Sequence, residues 1–480
     1  MSVQATVFLL YFGVVFALGW FALRRTRTES DYWIAGGNLG WLLGGATLAA
    51  THTSAGSFVG TVGVIHTVGW SFAWVLLSIP LAYWFTVGVL APRFTRVREL
   101  TLPAFLEARY ASKGVRALGA VVILVAVVVF VQAQIVAGGL IANAAFGIPA
   151  RTGMIVFAVV LVLYTVVGGM LAVVYTDFLQ LVVMAVGVLL AVPLSLRHFD
   201  GPVDFVARVQ AANPAAFDWG SMPGSLLFTM GLAFMLGSVA TPEKLVRLYA
   251  MRDMRAIRRG VMLAVGAICG INFLLFFLAL ASRALYPTLP SGDLAMPVMA
   301  ATVLPPVIGA LLLAAITAAM MSTVDSLLVV AGAALSHDIY QSILHPGASE
   351  RRRLWVDRIG IALVGVAPLV LILSGVGEGT LIQFIVLLFS ALMAASFFVP
   401  VVFGVYWRRA NRQGAAASMV GGLLTVFAWK LFGPGSIDPV LPGFLVSAAL
   451  MVGVSLATPP SPRTAVDPYF PTGPVSSESN

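Results

Sequence analysis

The sequence is poor in charge: 10% of its 480 residues are Asp, Glu, Lys or Arg, against 60% hydrophobic. A soluble domain carries about 25% charged residues. No water-soluble fold hides so much apolar surface, because part of any globule faces solvent. One cysteine, Cys269, lies inside an apolar run, which excludes a disulfide framework. A Gly-rich loop ending in Lys-Ser or Lys-Thr is missing, and with it an engine for ATP-driven pumping. No soluble stretch is long enough for an attached kinase, nucleotidase or sensor, and no His/Asp/Cys constellation suited to chemistry stands out. An enzyme is therefore not expected, nor an organic cofactor. The first apolar run lacks a basic leader and a small-residue cleavage site, so it reads as a retained helix.

What is present is a succession of apolar segments long enough to cross hydrocarbon. Hydropathy with Pro, Gly and charge punctuation predicts thirteen helices, at about 3–23, 40–66, 70–92, 117–146, 152–174, 177–197, 225–243, 260–284, 302–336, 356–375, 379–407, 414–432 and 441–457. The expectation is an all-α polytopic protein of a bacterial inner membrane, its partners lipid and a small organic solute, acting as a monomer. The +9 net charge does not point to nucleic acid, because the basic residues cluster between apolar spans as topology signals do. With the N-terminus outside and the C-terminus inside, 23 of the 28 Lys and Arg fall on the cytoplasmic side. The Pro- and Ser-rich residues 458–480 have little to bury and are expected to be disordered.

A transporter that binds a solute at mid-membrane opens its backbone there, and unwound helix is tolerated only where it lines a cavity or is buried in protein. The second span, GWLLGGATLAATHTSAGSFVGTVG, clusters Thr51, His52, Thr53, Ser54, Gly56 and Ser57 at its centre, which predicts an unwound binding segment. Thr51, His52, Ser54 and Ser57, with Gln132 of the fourth span, are the candidate solute contacts. The ninth span carries Ser322 and Thr323 together, with Ala319 one turn before and Asp325 just after. Na⁺ is a hard cation that takes oxygen ligands, so hydroxyls and freed carbonyls suit it. Asp325 is read as the one carboxylate well inside a span, where charge is costly; an Na⁺ relay and a structural carboxylate in a watery vestibule both fit. Asp177 is read as opening the sixth helix and His66 as interfacial. No basic residue is placed at mid-membrane, so a solute carboxylate would lean on half-helix N-termini and hydroxyls.

Several motifs in order resemble the sodium:solute symporter family over about residues 5–430. They are DYWIAGGNLGW, LAATHTSAGSFVG, YTVVGGMLAVVYTDFLQ, TPEKLVRLYAMRDMRAIRRG and AAITAAMMSTVDSLLVVAGAALSHDIY. Where many relatives have Arg, this chain has Asn38, which removes any charge pairing there. The resemblance implies a leucine-transporter-type fold of two inverted five-helix repeats. Residues 1–39 would precede repeat one at 40–197, an external loop at 198–224, repeat two at 225–407 and two further helices at 408–457. It also implies Na⁺ held by carbonyls of Ala50, Thr53 and Ala319 and hydroxyls of Ser322 and Thr323. The function implied is Na⁺-coupled uptake of a small solute, of pantothenate, monocarboxylate or proline type. A proton-coupled transporter using Asp325 and His52 is the alternative, and a membrane sensor a remoter one.

Overall fold

The computed structural model describes residues 3–24, 35–97, 99–167, 170–377 and 379–470. Arg25, Arg27, Arg98, the start of DYWIAGGNLGW, Gly168, Gly169 and the last ten residues of the tail lie outside them. Among the described residues there is no strand, only helix, connections and one isolated bridge from Leu39 to Met251.

The chain opens with α1, Val3–Leu23, then α2, Trp41–His52, and α3, Gly56–Val68. Next come α4, Trp70–Phe94, α5, Leu102–Tyr110, and α6, Lys113–Phe146. The first half closes with α7, Ala150–Val167, α8, Met170–Leu196, and α9, Pro202–Ala212. The second half begins with α10, Gly224–Ala240, α11, Pro242–Ala250, and α12, Met254–Leu285. Then follow α13, Gly292–Val303, α14, Pro306–Leu344, α15, Glu350–Leu373, and α16, Ile382–Tyr406. Last are α17, Arg412–Phe432, α18, Val440–Ala457, and the short α19, Arg463–Val466.

Ten of the described helices are long and apolar enough to cross a membrane, or eleven when α10 and α11, bent by 41°, count as one span. Of the thirteen expected spans, the second is split into α2 and α3, neither long enough to cross by itself, and the fifth, α7, is described over 18 residues up to Val167, next to the undescribed Gly168 and Gly169. The most buried spans are α14 and α16, 83% and 89% inside over their most apolar stretch. They form the axis on which the broken helices lie, while α17 and α18 pack on one another at the side.

Close approach of helices decides several contacts. A Cβ on Gly45 of α2 would collide with the backbone of Gly260 of α12, so two bare backbones cross there, as small residues allow in membrane bundles.

Charged residues at the expected cytoplasmic end are bonded into the fold. Arg109 of α5 is fully buried and donates to the carbonyls of Gly404, Trp407 and Ala410. Arg116 bridges Asp338 at 2.8 Å and Glu107 at 2.7 Å. These side chains supply caps to helix ends as well as charge to one side of a membrane.

The tail departs from the expectation of disorder over its first residues. Tyr469 is buried against Phe105 of α5, ring centroids 5.6 Å apart, and Arg408 pairs with Asp467 at 3.1 Å. The rings of Tyr469 and Phe470 supply the burial that the Pro-rich composition does not announce.

Candidate functional site

The second span breaks where its sequence is most polar. α2 stops at His52 and Thr53 turns extended, φ −85°, ψ 109°. Beyond it the amide of Ala55 donates to Gln134 Oε1 of α6 at 3.0 Å, and that of Gly56 to Ser54 Oγ at 3.0 Å. The amides of Ser57 and Phe58 donate to the Ser54 carbonyl. Side chains therefore replace the helical acceptors, and the carbonyls of Ala50, Thr51 and Thr53 lose their partners along the chain.

α14 meets those carbonyls. Ser322 Oγ donates to Ala50 O at 2.9 Å and to Ala319 O at 3.1 Å. Thr323 Oγ1 lies 3.0 Å from Thr51 O, 3.2 Å from Ala319 O and 3.3 Å from Thr53 O. The expected oxygens of Ala50, Thr53, Ala319, Ser322 and Thr323 thus converge, all buried. Thr51 O, absent from the expected set, joins them. The cluster holds no carboxylate and is made of neutral oxygens, a donor set that suits a monovalent hard cation.

Beside it lies a cavity of about 40 Å³. Thr51, His52, Ser54 and Ser57, the candidate solute contacts, line it, and Phe130, Phe234 and Phe389 supply apolar wall. His52 also pairs through Nδ1 with the hydroxyl of Tyr83 at 3.2 Å. Gln132 does not line the cavity: its Nε2 donates to Val376 O at 2.5 Å. Residues two apart on a helix point to nearly opposite faces, so with Gln134 serving the break Gln132 must face away. Gln383 accepts from Thr61 at 3.2 Å, an interhelical bond. His66, expected at the interface, is buried and bonded to Ser282 at 2.9 Å.

The seventh span breaks as well. Thr241 is extended, φ −73°, ψ 129°, and Pro242 starts α11. A proline supplies no amide to the preceding turn and fits the first position of a helix. The signal was legible in TPEK, which marks a helix start. As a result α11, read as cytoplasmic loop, lies inside the protein. Glu243 and Arg247 are buried, and Lys244 lines the cavity. The expectation that no basic side chain reaches the middle fails for this reason.

Arg247 meets Asp177, both fully buried, at 3.1 Å. Its guanidinium also donates to Ser326 Oγ at 2.5 Å, Thr47 Oγ1 at 2.9 Å and Glu243 O at 2.7 Å. Thr47 in turn donates to Asp177. Asp177 does not open the sixth helix, as expected, because α8 already starts at Met170. Two turns inside, its charge needs a partner, and Arg247 supplies one. The network ties α2, α8, α11 and α14 together on the Trp41 side of the oxygen cluster. Asp325 is buried too, and it accepts a hydrogen bond from Thr165 of α7 at 2.8 Å. It is thus one of several intramembrane carboxylates and not the sole one.

The model of the sodium:solute symporter family matches residues 32–422. The high-affinity proline transporter PutP of Bacillus subtilis (strain 168) is 29% identical over 470 residues, covering 94% of this chain and 98% of that protein. The sodium/pantothenate symporter of Escherichia coli (strain K12) is 30% identical over 467 residues, covering 93% and 95%. Among solved structures, a substrate-bound, outward-open Na⁺-coupled sialic acid symporter superposes with a TM-score of 0.81 at 20% identity, over 96% of this chain and 99% of that one. Mhp1, a nucleobase-cation-symport-1 family transporter, follows at 0.57 and 14%, over 90% and 97%. At such identities the likeness shows the fold, and the fold is that of these transporters. The model and the near full-length relatives agree, and the chain belongs to the sodium:solute symporter family.

Proposed function

We propose that the protein couples entry of Na⁺ to uptake of a small organic solute across a bacterial inner membrane by alternating access. The observation that carries this reading is the convergence of five oxygens, from Ala50, Thr53, Ala319, Ser322 and Thr323, between a broken helix and an unbroken one. Sodium held there joins the second span to the ninth. It thereby orders the wall that Thr51, His52, Ser54 and Ser57 give the neighbouring cavity, which links ion to solute. Two broken spans, five apart in the chain, support inverted repeats made of spans 2–6 and 7–11.

The driving force is sufficient. One Na⁺ crossing about 100 mV releases about 2.3 kcal/mol, and a roughly tenfold gradient adds about 1.4 kcal/mol. Together these support accumulation of a neutral solute by on the order of a few hundredfold. The relatives named for proline and pantothenate direct attention to amino acids and carboxylates.

The test uses purified protein in proteoliposomes, with an inward Na⁺ gradient set against an inward proton gradient. Uptake of labelled proline or pantothenate driven by Na⁺, at constant pH inside and out, is the expected result. Uptake driven by the proton gradient alone would assign the coupling to Asp325 and His52 instead.

Thirteen crossings with the N-terminus outside are part of the same reading, supported by the skew of basic residues. A reporter fused after Asn480 is expected to read cytoplasmic exposure; periplasmic exposure would remove one crossing from the scheme.

A further inference from the structure

The cavity beside the oxygen cluster carries both signs of charge, a feature the hydroxyl-rich second span does not announce. Glu243 and Lys244 occupy the first turn of α11, directly after the break at Thr241, and both line the cavity. Lys244 Nζ reaches only a neutral oxygen at bonding distance, Ser238 Oγ at 3.4 Å. Two acceptors lining the same cavity lack a donor. Glu243 is 2% exposed and its Oε2 has no hydrogen-bond partner; Asn272 of α12 is 4% exposed and its Oδ1 has none. Asn272 uses its amide group on Ile268 O at 2.9 Å, which leaves its oxygen without a donor.

A buried acceptor without a donor is costly, and a charged one more so. The first turn of α11 adds the positive end of a half-helix. A solute that brings an anionic group to Lys244 and the α11 amides, and a cationic N–H group to Glu243 and Asn272, satisfies every one of these. A simple carboxylate satisfies Lys244 and leaves both acceptors empty, while adding a second negative charge beside Glu243. A sugar brings no charge to either.

We propose that Glu243 and Lys244 are specificity-determining residues that read the two ends of a zwitterion, so that the solute is a small neutral amino or imino acid. The carboxylate binds Lys244 and the ammonium binds Glu243 with Asn272 Oδ1. The aromatic rings of Phe130, Phe234 and Phe389 receive its apolar part. This rests on the symport reading above.

The experiment measures ²²Na⁺ entry into proteoliposomes containing the full chain. One pool holds neutral L-amino acids including proline; the other holds pantothenate, lactate and propionate. The amino-acid pool is expected to stimulate entry and the carboxylate pool not to. The strongest member of the first pool should lose its effect as its carboxamide or its N-acetyl form. Lys244→Met should raise its half-saturating concentration by about tenfold or more, and Lys244→Arg should recover most of that loss. Thermal stabilisation of each variant by Na⁺ alone checks that it is folded. Stimulation by the carboxylate pool, or a Lys244→Met variant with the parental response, overturns the proposal. Stabilisation by Na⁺ with no response to either pool also overturns it and leaves symport standing. Absence of any Na⁺ effect on the parent chain overturns the symport reading itself.

Discussion

Thr323→Ala and Ser322→Ala are each expected to raise the Na⁺ concentration for half-maximal transport by about tenfold or more, on the order of 1.4 kcal/mol. Adjacent residues point about 100° apart on a helix, so both hydroxyls reach one ion only at the face between them. The structure has that face turned to the broken second span, with Ser322 at Ala50 O and Thr323 at Thr51 O and Thr53 O. Removing a hydroxyl deletes one neutral ligand and introduces no charge, so the fold survives at a cost of about 1 kcal/mol of hydrogen bonding. Solute affinity at saturating Na⁺ should move far less. Uptake into proteoliposomes, titrated with Na⁺ at fixed ionic strength, is the measurement. If both variants keep the parental Na⁺ dependence, the ion binds elsewhere.

Arg247→Met is expected to destabilise the protein by about 3–5 kcal/mol, because it strands the fully buried Asp177 carboxylate without a counter-charge. The double variant Asp177→Asn/Arg247→Met removes both charges together and should recover a large share of that loss. Replacing a buried pair by neutral groups is far less harmful than breaking it. Thermal unfolding in detergent, followed through a double-mutant cycle, measures the coupling. A double variant as unstable as Arg247→Met would show that the two charges do not support one another. The network also includes Thr47 and Ser326, so the cycle reports the pair within its hydrogen-bonded setting.

These two predictions differ in how visible their residues were. The run Thr51–Ser57 and the Ser322–Thr323 pair announce themselves: polar residues in an apolar span must be satisfied inside the protein. The partners of Arg247 do not. Its segment, PEKLVRLYA, has alternating charge and apolar residues, and hydropathy places it in a loop. Only the bend after Ala240 turns it inward, and only contact with α8 reveals that Asp177 waits there. Gln132 and Gln134 are equally polar in sequence, yet one serves the break and the other a distant carbonyl. That choice depends on the rotation of α6 about its axis, which packing sets.

By itself the sequence determined the class, the approximate course of its apolar spans and the place of the first helix break. These follow from local chemistry: an apolar run must lie in lipid or core, and a polar run within it must find partners nearby. The tertiary structure alone decided which oxygens meet, that the seventh span also opens, and that charge reaches the cavity through Lys244 and Glu243. It also seated Tyr469 against Phe105. Each of these joins residues far apart in the chain, and their pairing is chosen by the energy of burying them together, to which no single segment holds the key.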